Sequence, residues 1–146
     1  MPTSKYSEDV RQHLSFIQGV INRMNSNSFS MKGWMVAIVS ALCAVYASNA
    51  NSCSAYIYFI AAIIADLLFC FLDAYYLKME KEYRNLYNRV LTNPIETNFK
   101  MHIDKKDEND KDLKICFWKA FKSPSVWILY TVVFALLGAA LFLVVR

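Results

Sequence analysis

Residues 55–77 read AYIYFIAAIIADLLFCFLDAYYL, a run long enough to cross a bilayer that nevertheless carries two carboxylates, Asp66 and Asp73. Wound as an α-helix, Ala62, Asp66, Cys70 and Asp73 fall on one stripe, and Glu80 continues it, so that three acids recur every seven residues. An aspartate near the middle of a bilayer costs roughly 2.5–3.5 kcal/mol on insertion scales. The stripe is therefore expected to face protein or a water-filled cavity, not lipid.

The rest of the chain agrees with a membrane setting. Of 146 residues 56% are hydrophobic and 15% aromatic, with only three Gly and three Pro, which is more apolar than a soluble domain of this length. Two further stretches, 33–51 and 124–145, have spanning length, the first only if its neutral Ser48–Asn51 end is counted. The expected fold class is an all-α membrane protein with three transmembrane helices, 33–51, 55–77 and 124–145. The formal charge of +4 does not by itself imply nucleic acid, because the cations are sorted along the chain. Lys5, Arg11, Arg23 and Lys32 precede the first span, none lies in 49–54, and eleven lie between the second and third spans. By the positive-inside rule the N-terminus and 78–125 are cytoplasmic, and the 49–54 loop and the C-terminus lie outside, in a multi-pass inner-membrane protein. The first thirty residues show no apolar core of a cleavable signal peptide.

The flanking segments read as helices with narrow seams. Ser7 is a plausible N-cap, Glu8 and Asp9 suit the positive end of a helix, and Val10, Leu14, Ile17, Ile21 and Met24 follow at spacings of four and three. This predicts an amphipathic cytoplasmic helix over 7–25, ended by Asn25-Ser26-Asn27-Ser28. Tyr76, Met79, Tyr83, Leu86 and Val90 extend the second span through 78–92 up to Asn93-Pro94. Leu14, Ile17 and Ile21 on one helix and Tyr83 and Leu86 on the other form seams that can pair within a subunit, across subunits or with a cytoplasmic partner. Residues 93–112 contain the mixed-charge run Asp104–Asp112 and read as a linker. In 113–122, Ile115, Phe117, Trp118 and Phe121 alternate with Lys114, Lys119 and Lys122, as in an interfacial helix. A basic and aromatic mix also suits nucleic acid, but its place beside a span favours the membrane and no nucleic-acid partner is expected.

Small residues mark close helix contacts. Ala37, Ser40, Ala41, Ala44 and Ala47 share a face of the first span, expected to meet the second, and Ala135, Gly138 and Ala139 recur on the third. Ser123-Pro124 reads as a cap and first-turn proline, with Trp127, Tyr130 and Trp34 near the cytoplasmic interface.

No enzyme constellation can be assembled. Cys43, Cys53, Cys70 and Cys116 lack metal-ligand spacing, His13 and His102 read as surface histidines, and three scattered glycines make no phosphate loop. Neither metal nor cofactor is expected. Asp66 then has two readings: a packing group hydrogen-bonded to Ser40 or a tyrosine, or, with Asp73 and Glu80, part of a stripe facing an oligomeric axis and selecting cations, with proton relay a third role. Asp73 is expected to be solvated or paired with Lys78 or Lys81.

The segments HLSFIQGVINRMNSNSFSMKGW (His13–Trp34) and FLDAYYLKMEKEYRNLYNRV (Phe71–Val90), together with Phe117-Trp118 and Ser123, resemble a family of small bacterial multi-span membrane proteins. That family is similar to the transmembrane effectors of anti-phage and nucleotide-signalling defence systems. The resemblance implies a homo-oligomeric effector that permeabilises or depolarises the membrane when triggered from the cytoplasm by a signalling protein or a nucleotide signal, although the chain has no recognisable nucleotide-binding domain. A small cation channel or transporter, and a membrane anchor recruiting a cytoplasmic partner, are the other expectations.

The charge pattern makes the orientation testable. In intact cells an impermeant thiol reagent should label Cys53 and leave Cys116 unlabelled; labelling of Cys116 but not Cys53 would overturn the three-span topology.

Overall fold

The computed structural model describes residues 7–49, 55–92, 99, 101, 113 and 115–145. It is all-helical, with no strand among the described residues: α1 (Glu8–Ser48), α2 (Tyr56–Thr92), the short α3 (Phe117–Phe121) and α4 (Pro124–Val145). α1, α2 and α4 are each long and apolar enough to cross a membrane, as in a multi-pass membrane protein. At 1.5 Å per residue α1 and α2 run about 60 and 55 Å, well beyond a hydrocarbon core of about 30 Å, whereas α4 at about 33 Å just matches it.

α2 is the central helix. α1 packs antiparallel along it and α4 along another face, while no Cα atoms of α1 and α4 approach within 8 Å. Three apolar clusters follow one another along α2. In the first, Val10, Leu14, Ile17 and Ile21 meet Leu86 and Val90, with Tyr83 packed alongside. The seams read from the sequence are therefore consumed within the chain, which leaves Leu14, Ile17, Ile21 and Leu86 no surface for another protein. In the second, Met35 of α1 meets Cys70, Ala74 and Leu77 of α2 and Val126 and Tyr130 of α4; in the third, Phe59 and Ala62 meet Leu137. Outside the latter two clusters the helices expose Ile57, Ile60, Ile64, Leu67 and Leu68 of α2 and Val132, Leu136, Phe142 and Leu143 of α4. An apolar surface of this extent suits lipid, not water. The end of the hairpin carrying Val10 and Val90 is called the stalk.

Several expectations are corrected. The helix expected over 7–25 does not stop at Asn25–Ser28 but runs unbroken into the first span. Asn and Ser terminate helices by competing for backbone groups, but here the helix continues through them. Ser30 donates to the Ser26 carbonyl one turn back at 3.0 Å, and Ser28 turns inward to α2. The first span's helix ends at Ser48 with Asn49 as cap; residues 50 and 51, expected to extend it, and Cys53 lie outside the described residues. The small residues Ala37, Ser40, Ala41, Ala44 and Ala47 do not face α2; all are exposed, and Met35, Val39, Leu42, Cys43 and Tyr46 make the contact instead. The reason is register: the four-and-three spacing begun at Val10 continues through 28, 32, 35, 39, 42 and 46 and places the larger side chains inward. A Cβ added at Gly138 would meet nothing within 4 Å, so the α4 small-residue face is likewise open.

His13 is no surface histidine. It is 2% exposed, with its ring 5.4 Å from that of Phe99. Most of the 93–112 linker, His102 included, lies outside the described residues, but Met101 packs against the stalk cluster. Within the expected interfacial helix over 113–122, Phe117–Phe121 is α-helical; before it, Leu113 is buried in the stalk, and Lys114 lies outside the described residues. Tyr130, expected near the cytoplasmic interface, is 3% exposed and packs in the second cluster with Met35 and Val126.

Candidate functional site: a buried acidic stripe

The three acids of the stripe are brought onto the inner face of α2, as their seven-residue spacing requires: Asp66 is 1%, Asp73 0% and Glu80 7% exposed. They are buried within the chain's own helices. The stripe thus lies inside the subunit, not on an outer surface turned to an oligomeric axis.

Each acid has a different electrostatic setting. Asp73 is met from α1 by a side-chain pair one helical turn apart. Ser28 Oγ donates to Asp73 Oδ1, Lys32 Nζ stands 2.5 Å from Asp73 Oδ2, and Lys32 also donates to Ser28 Oγ at 3.1 Å. Oδ2 meets Lys32 as an ion partner and not as a hydrogen-bond acceptor of ordinary geometry. The expected partners Lys78 and Lys81 are not used; Lys78 lies 3.5 Å from Glu82 instead. Tyr130 approaches the same pair from α4, its hydroxyl buried beside Asp73 without completing a hydrogen bond of normal geometry. Glu80 pairs with Arg84 at 2.7 Å on its own helix, one turn on, where solvent screens the pair.

Asp66 is unlike both. It lies between the second and third apolar clusters, and neither carboxyl oxygen has a hydrogen-bond partner. Ser40, the partner considered from sequence, is exposed on the far side of α1. Along α2, Asp66 is about 10 Å from Asp73 and about 15 Å from Tyr56, near the middle of the apolar length. An unpaired carboxyl in that position is destabilising.

Two groups that sequence reading passed over complete the region. Glu82, 7% exposed, accepts the Ile115 N–H at 3.1 Å, and the Asn85 side-chain amide donates to the Leu113 carbonyl at 3.1 Å. These bonds clamp the chain entering α3 to the stalk half of α2. Lys32 and Ser28 read from the sequence only as a flanking cation and part of a helix end, although the four-and-three count carried past Asn25 places both on the inner seam. No group of His, Cys, Asp and Glu able to hold a metal ion is formed among the described residues.

The pairing of Lys32 with Asp73 has a measurable consequence. Lys32→Met leaves a buried carboxylate uncompensated and should lower stability in mild detergent by roughly 3–5 kcal/mol. Lys32→Met with Asp73→Asn should recover most of that loss, because no charge is then stranded. Unfolding free energies that simply add in the double variant would show that the two groups do not interact.

No family model, no curated protein and no solved structure matches the chain.

Proposed function

We propose that this protein is a membrane effector: a homo-oligomer in the bacterial inner membrane, with its stalk in the cytoplasm, that permeabilises or depolarises the cell when a signal reaches the stalk, as part of anti-phage defence. The observation that carries the reading is Asp66, an unpartnered carboxyl midway along the apolar part of α2. A bundle built only for packing gains nothing from such a group, whereas a path that hydrates when the helices part gains a cation ligand. Two features support the triggering. α2 is one unbroken helix from the stalk through Asp66, and the stalk is held by apolar packing and a few polar bonds, so a force applied there is carried into the membrane.

The outward small-residue faces, Ala37 to Ala47 on α1 and Ala135 and Ala139 beside Gly138 on α4, support association of several copies in lipid. The absence of Lys and Arg from 49–54 supports a cytoplasmic stalk. A signalling protein or a nucleotide bound by such a protein fits as the trigger, since the elements formed among the described residues are these helices alone.

Asp66→Asn and Asp66→Leu test the proposal. Both should assemble, because neither strands a charge. Both should reduce the depolarisation and killing of phage-challenged cells that express the protein by on the order of tenfold or more, as expected when a charged ligand is removed from a conduction path. Flux without any trigger in the wild type would favour a constitutive channel or transporter. Unaltered membrane potential in wild type and both variants would leave the anchor reading.

A further inference from the structure

We propose that α3 and the first turn of α4 form a binding ledge for the headgroups of anionic phospholipid in the leaflet at the stalk end. This rests on the multi-pass membrane reading and not on any conducting activity.

The position of the ledge follows from contacts. The Phe117 ring lies 4.8 Å from that of Phe71, which sets α3 beside α2 two residues before Asp73. Val126 packs with Met35, Ala74 and Leu77, which brings the first turn of α4 to the same level, and the Lys32–Asp73 pair brings α1 there too. Three tryptophans cluster at this level and all are turned outward: Trp34 is 61%, Trp118 65% and Trp127 52% exposed. Tryptophan gathers where hydrocarbon gives way to headgroups. About 25 Å further along α2, Tyr56 at 42% exposure marks the opposite boundary, a separation that fits a hydrocarbon core.

The charge on the ledge is of one sign. Lys119 and Lys122 are exposed beside Trp118, and no Asp or Glu occurs anywhere from 113 to the end of the chain. The buried acids of this part of α2 do not offset these lysines, since Asp73 meets Lys32, Glu80 meets Arg84, and Glu82 meets Lys78 and the Ile115 N–H. Ala120, between the lysines, is fully buried, and Phe121 packs toward the bundle, so α3 cannot roll its cations away from the headgroup plane. A lysine at a membrane surface contributes about 1 kcal/mol toward anionic lipid, a factor of about five each.

Full-length protein is reconstituted with equimolar phosphatidylglycerol and phosphatidylcholine, and the lipids retained are counted by native mass spectrometry. The wild type should retain phosphatidylglycerol preferentially, by fivefold or more, and Lys119→Gln with Lys122→Gln should bring the ratio close to one. Equal retention of both lipids by the wild type, a measurement independent of whether the variant folds, would overturn the proposal. So would a preference undiminished in a folded double variant. Displacement of the retained phosphatidylglycerol by a short RNA at equal charge concentration would also overturn it and assign the ledge to nucleic acid.

Discussion

The contact on which the rest of this structure depends is the closure of Lys32 and Ser28 of α1 on Asp73 of α2. A wholly buried carboxylate needs a cation and a hydrogen-bond donor together, and only a helix continuing through Asn25–Ser28 can present both, because Ser28 and Lys32 stand one turn apart. The pair therefore fixes the register of α1 on α2. Ile17 and Ile21 are set against Leu86 on one side of it and Met35 against Cys70 and Ala74 on the other. A slip of one residue would separate the charges and turn Met35 and Leu42 about 100° out of the seam.

Asp66 and Asp73 are the same residue type on the same helical face, and their difference lies in what α1 supplies. At the level of Asp73 α1 offers a hydroxyl and an ammonium; near Asp66 it offers Val39 and Cys43. One acid is thus a structural fastener whose loss should weaken the fold, while the other is a liability within the fold as it stands. That contrast is what makes Asp66, and not the stripe as a whole, the centre of the proposed effector activity. It also recasts the idea of a carboxylate-lined axis, since the acids are enclosed by their own subunit and would reach water only if α1 or α4 moved away from α2.

Much of this was legible in the sequence. The lengths of the apolar runs, the continuation of α2 past Leu77 and the inward face of Asp66, Asp73 and Glu80 all follow from hydropathy and helical periodicity, which depend on a few neighbouring residues. What was not legible depended on partners distant in the chain. Asn25-Ser26-Asn27-Ser28 reads as a terminator until Asp73, 45 residues away, is known to accept from Ser28. The small face of α1 reads as a contact surface until the seam of Met35, Val39 and Leu42 is seen to outcompete it. His13 looks solvent-facing because an isolated histidine carries no sign that Phe99 will cover it. Glu82 and Asn85 gave no local signal, because their role is to hold backbone groups of a segment about 30 residues downstream.

The continuity of α1 through the level of the Lys32–Asp73 pair is best tested by hydrogen exchange on the protein in lipid nanodiscs, following the amides of residues 25–32. If the inward pairing holds this segment helical, these amides should be protected as strongly as those around Ile21 and Met35. Asp73→Asn should then raise their exchange selectively, with the stalk amides near Leu14 little changed. Rapid exchange of 25–32 in the wild type, or protection that Asp73→Asn leaves untouched, would contradict the account.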